Sequence, residues 1–455
     1  QARCSFHAAT LYIRPKTKVL RSFVYGLLKM YKITKFKNNL TLVTHYMPKA
    51  YSVAVGVWLK VGARYEEADI SGISHVLEHM VFKGSKKHDG NTIKRQIEGR
   101  GGLLNGFTSE ELTCYLAKVP HKIAQPTFNM LLDMALHPII KPNELNREKA
   151  VIIEEIKMYK DLPPHIAQEE LDQLIWPNHP LGRNIAGSVE TVSSLSKEKL
   201  QDFQSNYYRP QNMVVVFAGN IKHSQAIDFI HKSMETKKAP SAKFGFNPFK
   251  EGQKEPNVKT IAKDIEQTRL AMGFTAYPRA HPKRFILLLL NIILGGNMSS
   301  RLFDEIREKE GLAYAIASHY KRLADTGVFY IVAGLDNNKI DLALELTLKE
   351  LSKLTKSLVP GDELTRAKEF CLGQLAMGLE DSLEHMAFLG EAIATTGKVQ
   401  DFNQIKRDIL KVNPASIRAV AQEIFLSNRV NIALVGPIKD FNAKRCLGYI
   451  GDSLR

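Results

Sequence analysis

Two sequence patterns recur in this chain at the same separation, and this repeat limits the fold more than any other feature. Gly56 lies in the stretch SVAVGVW, and its counterpart Gly273 lies in the similar stretch RLAMGFT, 217 residues later. Gly219 ends the stretch NMVVVFAG, and Gly436 ends the similar NRVNIALVG at the same distance of 217 residues. Two matches at one offset indicate two duplicated domains of about 200 residues each.

The repeated segments also predict the fold class. Each copy is predicted to form a strand that ends in glycine and follows a helical stretch. Long helical segments separate the predicted strands. This pattern favours an α+β fold in which each domain is a mainly antiparallel β-sheet with helices packed on one face. Alternating apolar residues around 41–44 and 53–59, with Asn38-Asn39 as a turn between strands, predict a hairpin there.

The domain boundaries follow from composition. A chain of 455 residues is too long for one compact core. Residues 237–258 are rich in Lys, Pro and Gly, which is typical of a connection between domains. We therefore expect a basic extension outside the fold at 1–29, a first domain at 30–240 and a second at 241–455.

The positive charge of the chain is concentrated at its beginning. The net charge is +16, but the first 50 residues hold ten Lys or Arg and no Asp or Glu. The remainder is unremarkable, and no motif of basic and aromatic residues accompanies it, so no nucleic acid is expected as a partner. The apolar run Phe285–Leu294 has ten residues, too few to cross a membrane, so no transmembrane segment is expected.

The first 29 residues allow two interpretations of the cellular compartment. They are basic, free of acidic residues and mildly apolar, which resembles an organelle transit peptide. We favour an extension outside the fold, which leaves a chain like a cytoplasmic bacterial protein, with a mitochondrial or other organellar location as the alternative. The four cysteines form no CxxC pair, which suits a reducing compartment.

The chemistry is concentrated in the segment GISHVLEHMVFKG. His75, Glu78 and His79 are separated by three and four positions, so a helix places them on one face. Two neutral imidazoles on adjacent turns of a helix can bind the same zinc ion. A carboxylate beside them can take a proton from water that the metal activates. A solvated helix face that happens to carry two histidines is the competing interpretation.

A zinc site of this type needs a third protein ligand, which is usually a carboxylate. The helical stretch EKAVIIEEIKMY carries Glu148, Glu154 and Glu155. Glu148 and Glu155 are seven residues apart and share a face, which suits a ligand with a supporting acid. Glu154 is rotated by about 100° from Glu155 and fits a solvated position.

These motifs together resemble the pitrilysin family of inverted zincins, in particular its branch of two-domain chains related to mitochondrial processing peptidase. The resemblance covers essentially residues 30–455, and it includes the segments GGLLNGFTSEELTCY, PLGRNIAG and RLFDEIREKEGLAY. It implies a zinc metalloendopeptidase in which Glu155 is the third ligand, Glu148 supports a ligand and Glu78 is the base.

The same resemblance implies substrate-binding residues outside the metal site. Arg307 and Tyr314 match an Arg and a Tyr, seven residues apart, that help to steady the developing oxyanion. Asn105 matches an Asn on a strand to which the family adds its peptide substrate as a further strand. The family usually has Ala after this Asn, whereas this chain has Gly106, which affects the expected geometry of the strand.

The repeat and the resemblance together define the expected assembly. Shifting the metal motif by 217 positions gives Ile292, Gly295 and Gly296, which are not ligands, so one Zn²⁺ per chain is expected. In the family four such domains enclose a chamber, which implies a homodimer or a heterodimer with a homologous chain, acting on peptide substrates. The alternatives are a non-catalytic structural or substrate-holding subunit of the same family and a zinc hydrolase that does not cleave peptides.

Overall fold

A computed structural model describes residues 31–234, 245–438 and 442–454 of the chain. The predicted extension at 1–29 and part of the predicted boundary at 237–258 lie outside these residues, so the predicted domain limits stay predictions. The described residues form two mixed layers of sheet and helix, one built mainly from each half of the chain.

The first half contains a six-stranded sheet with the order β1-β2-β6-β3-β5-β4. All its neighbouring strands are antiparallel except β2 and β6, which are parallel. The turn at Asn38-Asn39 joins β1 to β2, and Asn39 adopts a left-handed conformation with φ 68°. The strands are β1 (Tyr31–Lys35), β2 (Thr41–Tyr46), β3 (Ser52–Leu59), β4 (Leu103–Thr108), β5 (Thr113–Pro120) and β6 (Met213–Gly219).

Among the described residues the first half contains eight α-helices. Most of them bury an apolar core against one face of the sheet, as the periodicity of their apolar residues requires. They are α1 (Ile73–Val81), α2 (Gly90–Ile97), α3 (Ala124–Leu136), α4 (Pro142–Lys160), α5 (Pro163–Ile175), α6 (Val189–Ser194), α7 (Lys197–Tyr207) and α8 (His223–Ser233).

The second half repeats the plan with a five-stranded sheet of order β7-β11-β8-β10-β9. Only β7 and β11 are parallel neighbours. Its strands are β7 (Asn257–Ala262), β8 (Gln267–Ala276), β9 (Ala313–Arg322), β10 (Gly327–Asp336) and β11 (Asn431–Gly436). Its described helices are α9 (Arg284–Leu294), a π-helix (Phe303–Lys309), α10 (Ile340–Lys356), α11 (Gly361–Gly378), α12 (Ser382–Thr396), α13 (Phe402–Lys411), α14 (Pro414–Ile424) and α15 (Ala443–Ser453). The predicted α+β class, with two duplicated and mainly antiparallel sheets, is therefore confirmed.

The two halves exchange one helix each. Helix α12 of the second half packs on β3 and β6 of the first sheet, and α5 of the first half packs on β8 and β11 of the second. One repeated pair of glycines, Gly56 and Gly273, lies at these crossings. A Cβ at Gly56 would lie 2.4 Å from Met386 Sδ on α12, and a Cβ at Gly273 would lie 3.0 Å from Ile175 Cδ1 on α5. Gly56 and Gly273 thus lie at corresponding places in the two halves, where a strand is in close contact with an exchanged helix.

The lengths and polarity of the described helices bear on the prediction that the chain has no transmembrane segment. Within the described ranges, the longest apolar helical stretches are too short or too polar for a membrane span.

Candidate metal centre

Helix α1 begins at a glycine in a conformation that other residues rarely adopt. Gly72 has φ 94°, and a Cβ there would lie 2.5 Å from the carbonyl oxygen of Ala186. The buried carboxylate of Glu66 accepts hydrogen bonds from the backbone N–H groups of Gly72 (2.7 Å) and Ser74 (2.9 Å). These bonds satisfy two donors that the first turn of a helix leaves free. Burial raises the pKa of Glu66 to about 7.

The remainder of α1 divides into an apolar and a polar face. Val76, Leu77 and Met80 are fully buried and join the core of the first half. His75, Glu78 and His79 lie on the other side and are partly exposed. The local sequence therefore positions all three polar side chains by burying the residues between them.

Three side chains from two helices converge at this face. His75 Nε2 lies 3.9 Å and His79 Nε2 lies 3.8 Å from Glu155 Oε2 on α4. One ligand atom from each of the three residues can be chosen so that all lie within 4.8 Å of one another. Tetrahedral ligands on zinc are about 3.4 Å apart when the bonds are about 2.1 Å long. Small movements of these side chains toward one another would therefore bring their ligand atoms to the spacing that one zinc ion requires.

The protonation of His75 suits a metal ligand. Burial, together with the neighbouring His79, lowers the pKa of His75 to about 4, so its imidazole is neutral at physiological pH. The ring nitrogen Nδ1 of His75 is buried and has no hydrogen-bond partner among the residues that the structure describes. A neutral imidazole with Nε2 turned toward Glu155 is the form that binds a metal.

A second carboxylate orients His79. Glu148 is 6% exposed, and its Oε2 lies 3.1 Å from His79 Nδ1. Its other oxygen pairs with Lys83 Nζ at 2.5 Å. A hydrogen bond at Nδ1 leaves Nε2 of His79 free for a metal, which is the usual arrangement of a carboxylate behind a metal-binding histidine.

Glu154 is directed away from this cluster. Its side chain is 71% exposed, and it pairs with Lys157 at 2.7 Å. Glu155 and Glu154 are neighbours in sequence, but the rotation of the helix separates them, as the sequence indicated.

Glu78 lies between the metal cluster and the edge strand β4. Its Oε2 accepts a hydrogen bond of 2.7 Å from the hydroxyl of Thr108. Burial raises the pKa of Glu78, and the bond from Thr108 acts in the opposite direction. A half-buried carboxylate with a raised pKa, next to a group of metal-binding side chains, is suited to accept and release a proton.

The glycine after Asn105 has a steric reason in this chain. A Cβ at Gly106 would lie 3.0 Å from two ring atoms of Phe82, which follows α1. Gly106 therefore allows β4 to approach the metal helix while Phe82 keeps its place. Asn105 lies in the same strand on the exposed side, and its Oδ1 accepts a hydrogen bond from Gly106 N at 2.9 Å.

The structure brings Arg307 and Tyr314 together but not to the metal cluster. The Arg307 guanidinium lies 5.6 Å from the centre of the Tyr314 ring, and Tyr314 is 75% exposed. Among the described residues, no hydrogen bond, ion pair or ring contact joins either side chain to His75, His79 or Glu155.

The sequence reasoning missed two contacts of this site. Thr108 and Lys83 contact Glu78 and Glu148, respectively, and neither was singled out. Alternating residues of β4 lie on the same face, so residues 104, 106 and 108 share the face that approaches α1 at Gly106. This alternation could have indicated Thr108. For Lys83 the signal was its position four residues after His79, one turn further along the chain.

Family models match most of the chain. The model described as insulinase (peptidase family M16) matches residues 41–189, and the model described as peptidase M16 inactive domain matches residues 194–370. The uncharacterized zinc protease YmxG of Bacillus subtilis is 34% identical over 88% of this chain and 97% of its own length. An uncharacterized zinc protease of Rickettsia felis is 34% identical over 90% of this chain and 98% of its own length. The chain therefore belongs to peptidase family M16, to which the pitrilysin-type enzymes belong.

Solved structures agree on the fold. A protease from Helicobacter pylori superposes with a TM-score of 0.86 at 23% identity, covering 90% of this chain and all of that one. A chain of complex III2 from Candida albicans superposes with a TM-score of 0.77 at 17% identity, covering 92% of this chain and 99% of its own. Both show that the two-sheet architecture is a shared fold.

Proposed function

We propose that this protein is a zinc-dependent metalloendopeptidase that hydrolyses peptide bonds in unfolded peptides or precursor segments. The observation that carries the proposal is the convergence of His75, His79 and Glu155, with Glu78 on the same helical face as both histidines. Within the described part of the chain this is the one group of at least three His, Cys, Asp or Glu side chains that could hold a metal ion. One zinc per chain is therefore proposed.

Each side chain has a distinct task in this proposal. Zinc bound by His75, His79 and Glu155 would supply Lewis acidity that lowers the pKa of water and polarises the scissile carbonyl. Glu78 takes the proton from the attacking water and passes it to the leaving amine. Glu148 holds the Nδ1 of His79 and so keeps that ring in the orientation that binds metal.

The edge strand β4 offers a place for a peptide. It lies at the end of the first sheet, where β5 is its one neighbour in the described sheet. A peptide added along the open edge would gain backbone hydrogen bonds without a fixed side-chain sequence. This favours an extended, unfolded substrate, with Asn105 on the exposed side of the strand contributing its amide.

We also propose that Arg307 and Tyr314 act on the metal site of a partner chain in a dimer. Their mutual contact, the exposure of Tyr314 and the lack of a described contact with their own metal cluster support this arrangement. The partner is a second copy of this chain or a homologous chain.

Metal content and Glu78→Gln test the catalytic proposal. Purified protein should hold about one zinc per chain, and a chelator should remove both the zinc and the peptidase activity. Glu78→Gln should keep the zinc and lose nearly all turnover, whereas the matched surface change Glu154→Gln should keep both. Protein without metal, whose activity is indifferent to chelation, would contradict the proposal. Protein that binds zinc but cleaves no peptide would indicate a substrate-holding subunit instead, and cleavage of esters or small amides alone would indicate another hydrolase.

Subunit exchange tests the dimer. Glu78→Gln and Arg307→Ala are each expected to be inactive as pure proteins. In a mixed dimer, the Arg307→Ala chain contributes an intact metal site and the Glu78→Gln chain contributes an intact Arg307 and Tyr314. One site of the mixed dimer is then complete, and activity should return. Continued inactivity of mixed dimers that have been shown to form would rule out action across the interface.

A further inference from the structure

Thr108 is the one described residue that donates a side-chain hydrogen bond to Glu78. The bond is 2.7 Å long and ends on Oε2, so the other carboxylate oxygen remains available. A carboxylate fixed through one oxygen has lost most of its freedom to rotate. The hydroxyl of Thr108 therefore selects the orientation in which Glu78 meets the metal cluster.

Thr108 is also the last residue of the edge strand. Its backbone pairs with Thr113 of β5, and the turn at 109–112 follows directly. The position of Thr108 thus depends on what holds this turn in place.

Both halves of the chain hold that turn. Glu111, which is 5% exposed, accepts hydrogen bonds of 2.8 Å from Arg64 Nη1, Arg279 Nη1 and the backbone N–H of Ala324. The next contact along the turn is an ion pair of 2.7 Å between Glu110 and Lys321.

These partners come from both halves of the chain. Arg64 belongs to the first half, whereas Arg279, Lys321 and Ala324 belong to the second. Buried, charge-assisted bonds of this kind are costly to break singly, because the partner is left buried without compensation. The second half therefore clamps the turn that directly follows Thr108.

We propose that Thr108 is a positioning residue for Glu78, and that the second half of the chain fixes Thr108 through Glu110 and Glu111. This inference rests on the proposed peptidase function. It gives the second half a role in catalysis within its own chain: it sets the orientation of the base, in addition to any contact with substrate.

Thr108→Val is the first test. It keeps the shape of the side chain and removes the donor. We expect kcat to fall about 10- to 100-fold, the effect of losing one hydrogen bond to a charged group. KM and the affinity for zinc should stay the same, because Thr108 contacts no metal ligand. Thr108→Ser, which restores the hydroxyl, should recover most of kcat.

Thr34→Val is the matched control. Thr34 lies on β1, the opposite edge of the same sheet, and its hydroxyl also shares a 2.8 Å hydrogen bond, with His223 Nε2. It should leave kcat unchanged. A rise in KM with unchanged kcat in Thr108→Val would mean that Thr108 only supports the substrate edge, and that result would overturn the inference.

Glu111→Gln tests the clamp. It should lower kcat, and the double variant Thr108→Val/Glu111→Gln should lose less than the product of the two single losses, since both act through one contact. If Glu111→Gln does not fold, Lys321→Met replaces it and removes the pair with Glu110. Independent, multiplicative losses would refute the clamp. An inactive wild-type protein would refute the proposed function, whereas an active wild type with a fully active Thr108→Val would refute this inference alone.

Discussion

Gly56 lies where the exchanged helix α12 crosses strand β3, and it offers a direct measure of how tightly the halves are joined. An added Cβ would lie 2.4 Å from Met386 Sδ and 2.7 Å from Trp58 Nε1. Gly56 is not among the glycines with positive φ, so alanine can adopt its backbone conformation. The effect of Gly56→Ala should therefore come from packing.

The expected magnitude follows from two opposing terms. Overpacking a close contact lowers the free energy of unfolding by about 1–3 kcal/mol. Replacing glycine with alanine raises it by about 0.4–1 kcal/mol, because alanine reduces the conformational entropy of the unfolded chain. Gly56→Ala should then lower the free energy of unfolding by about 1–2 kcal/mol.

Gly273 is the matched position in the second half. There an added Cβ would lie 3.0 Å from Ile175 Cδ1 and 3.1 Å from Leu171 Cδ2, the ends of side chains that can move by a few tenths of an ångström. Gly273→Ala should stay within about 0.5 kcal/mol of the wild type, because its small packing cost is offset by the gain in the unfolded chain.

Thermal unfolding distinguishes the two variants. A change of 1 kcal/mol shifts Tm by about 2–4 °C for a domain of about 200 residues. Met386→Ala should cost less in the Gly56→Ala background than in the wild type, since it removes the atom that the new methyl group meets. Equal losses in Gly56→Ala and Gly273→Ala, or full additivity with Met386→Ala, would refute the reasoning.

Three further predictions concern the metal helix. Glu148→Gln should weaken zinc binding by about 10- to 100-fold, because His79 loses its charged partner; competition with a chelating dye measures this. Glu155→Gln should weaken zinc binding more than Glu154→Gln does. The reverse order would mean that Glu154, and not Glu155, is the ligand. Glu66 has its pKa raised to about 7 from 4.5, so it stabilises the fold fully below pH 4.5 and loses that contribution as the pH rises toward 7. The Tm difference between wild type and Glu66→Gln should therefore shrink over this range, and a constant difference would contradict the burial of Glu66.

The repeat and the periodicity of the sequence predicted the fold class, because both depend on local pattern. The hairpin at Asn38-Asn39 followed for the same reason. The exchange of α5 and α12 could not be predicted in this way. An amphipathic helix shows that one face is buried, but either sheet satisfies that requirement.

The candidate site shows the same division. The spacing of His75, Glu78 and His79 places them on one helical face in any α-helix, so their convergence could be read from the sequence. The bond from Thr108 to Glu78 joins residues 30 positions apart and depends on how closely β4 approaches α1. That approach depends on Gly106 and Phe82, whose contact is tertiary.

The second half lacks more than the ligand side chains. The positions that correspond to Glu78 and His79 are Gly295 and Gly296, and α9 ends at Leu294, just before them. Ile292, which corresponds to His75, is buried in the core of the second half. A Cβ at Gly295 would lie 2.5 Å from Ser318 N on β9. The helical turn that presents Glu78 and His79 in the first half is therefore missing, and the strand occupies the space that side chains would need. The second half instead contributes Arg279 and Lys321, which contact Glu111 and Glu110 of the first half.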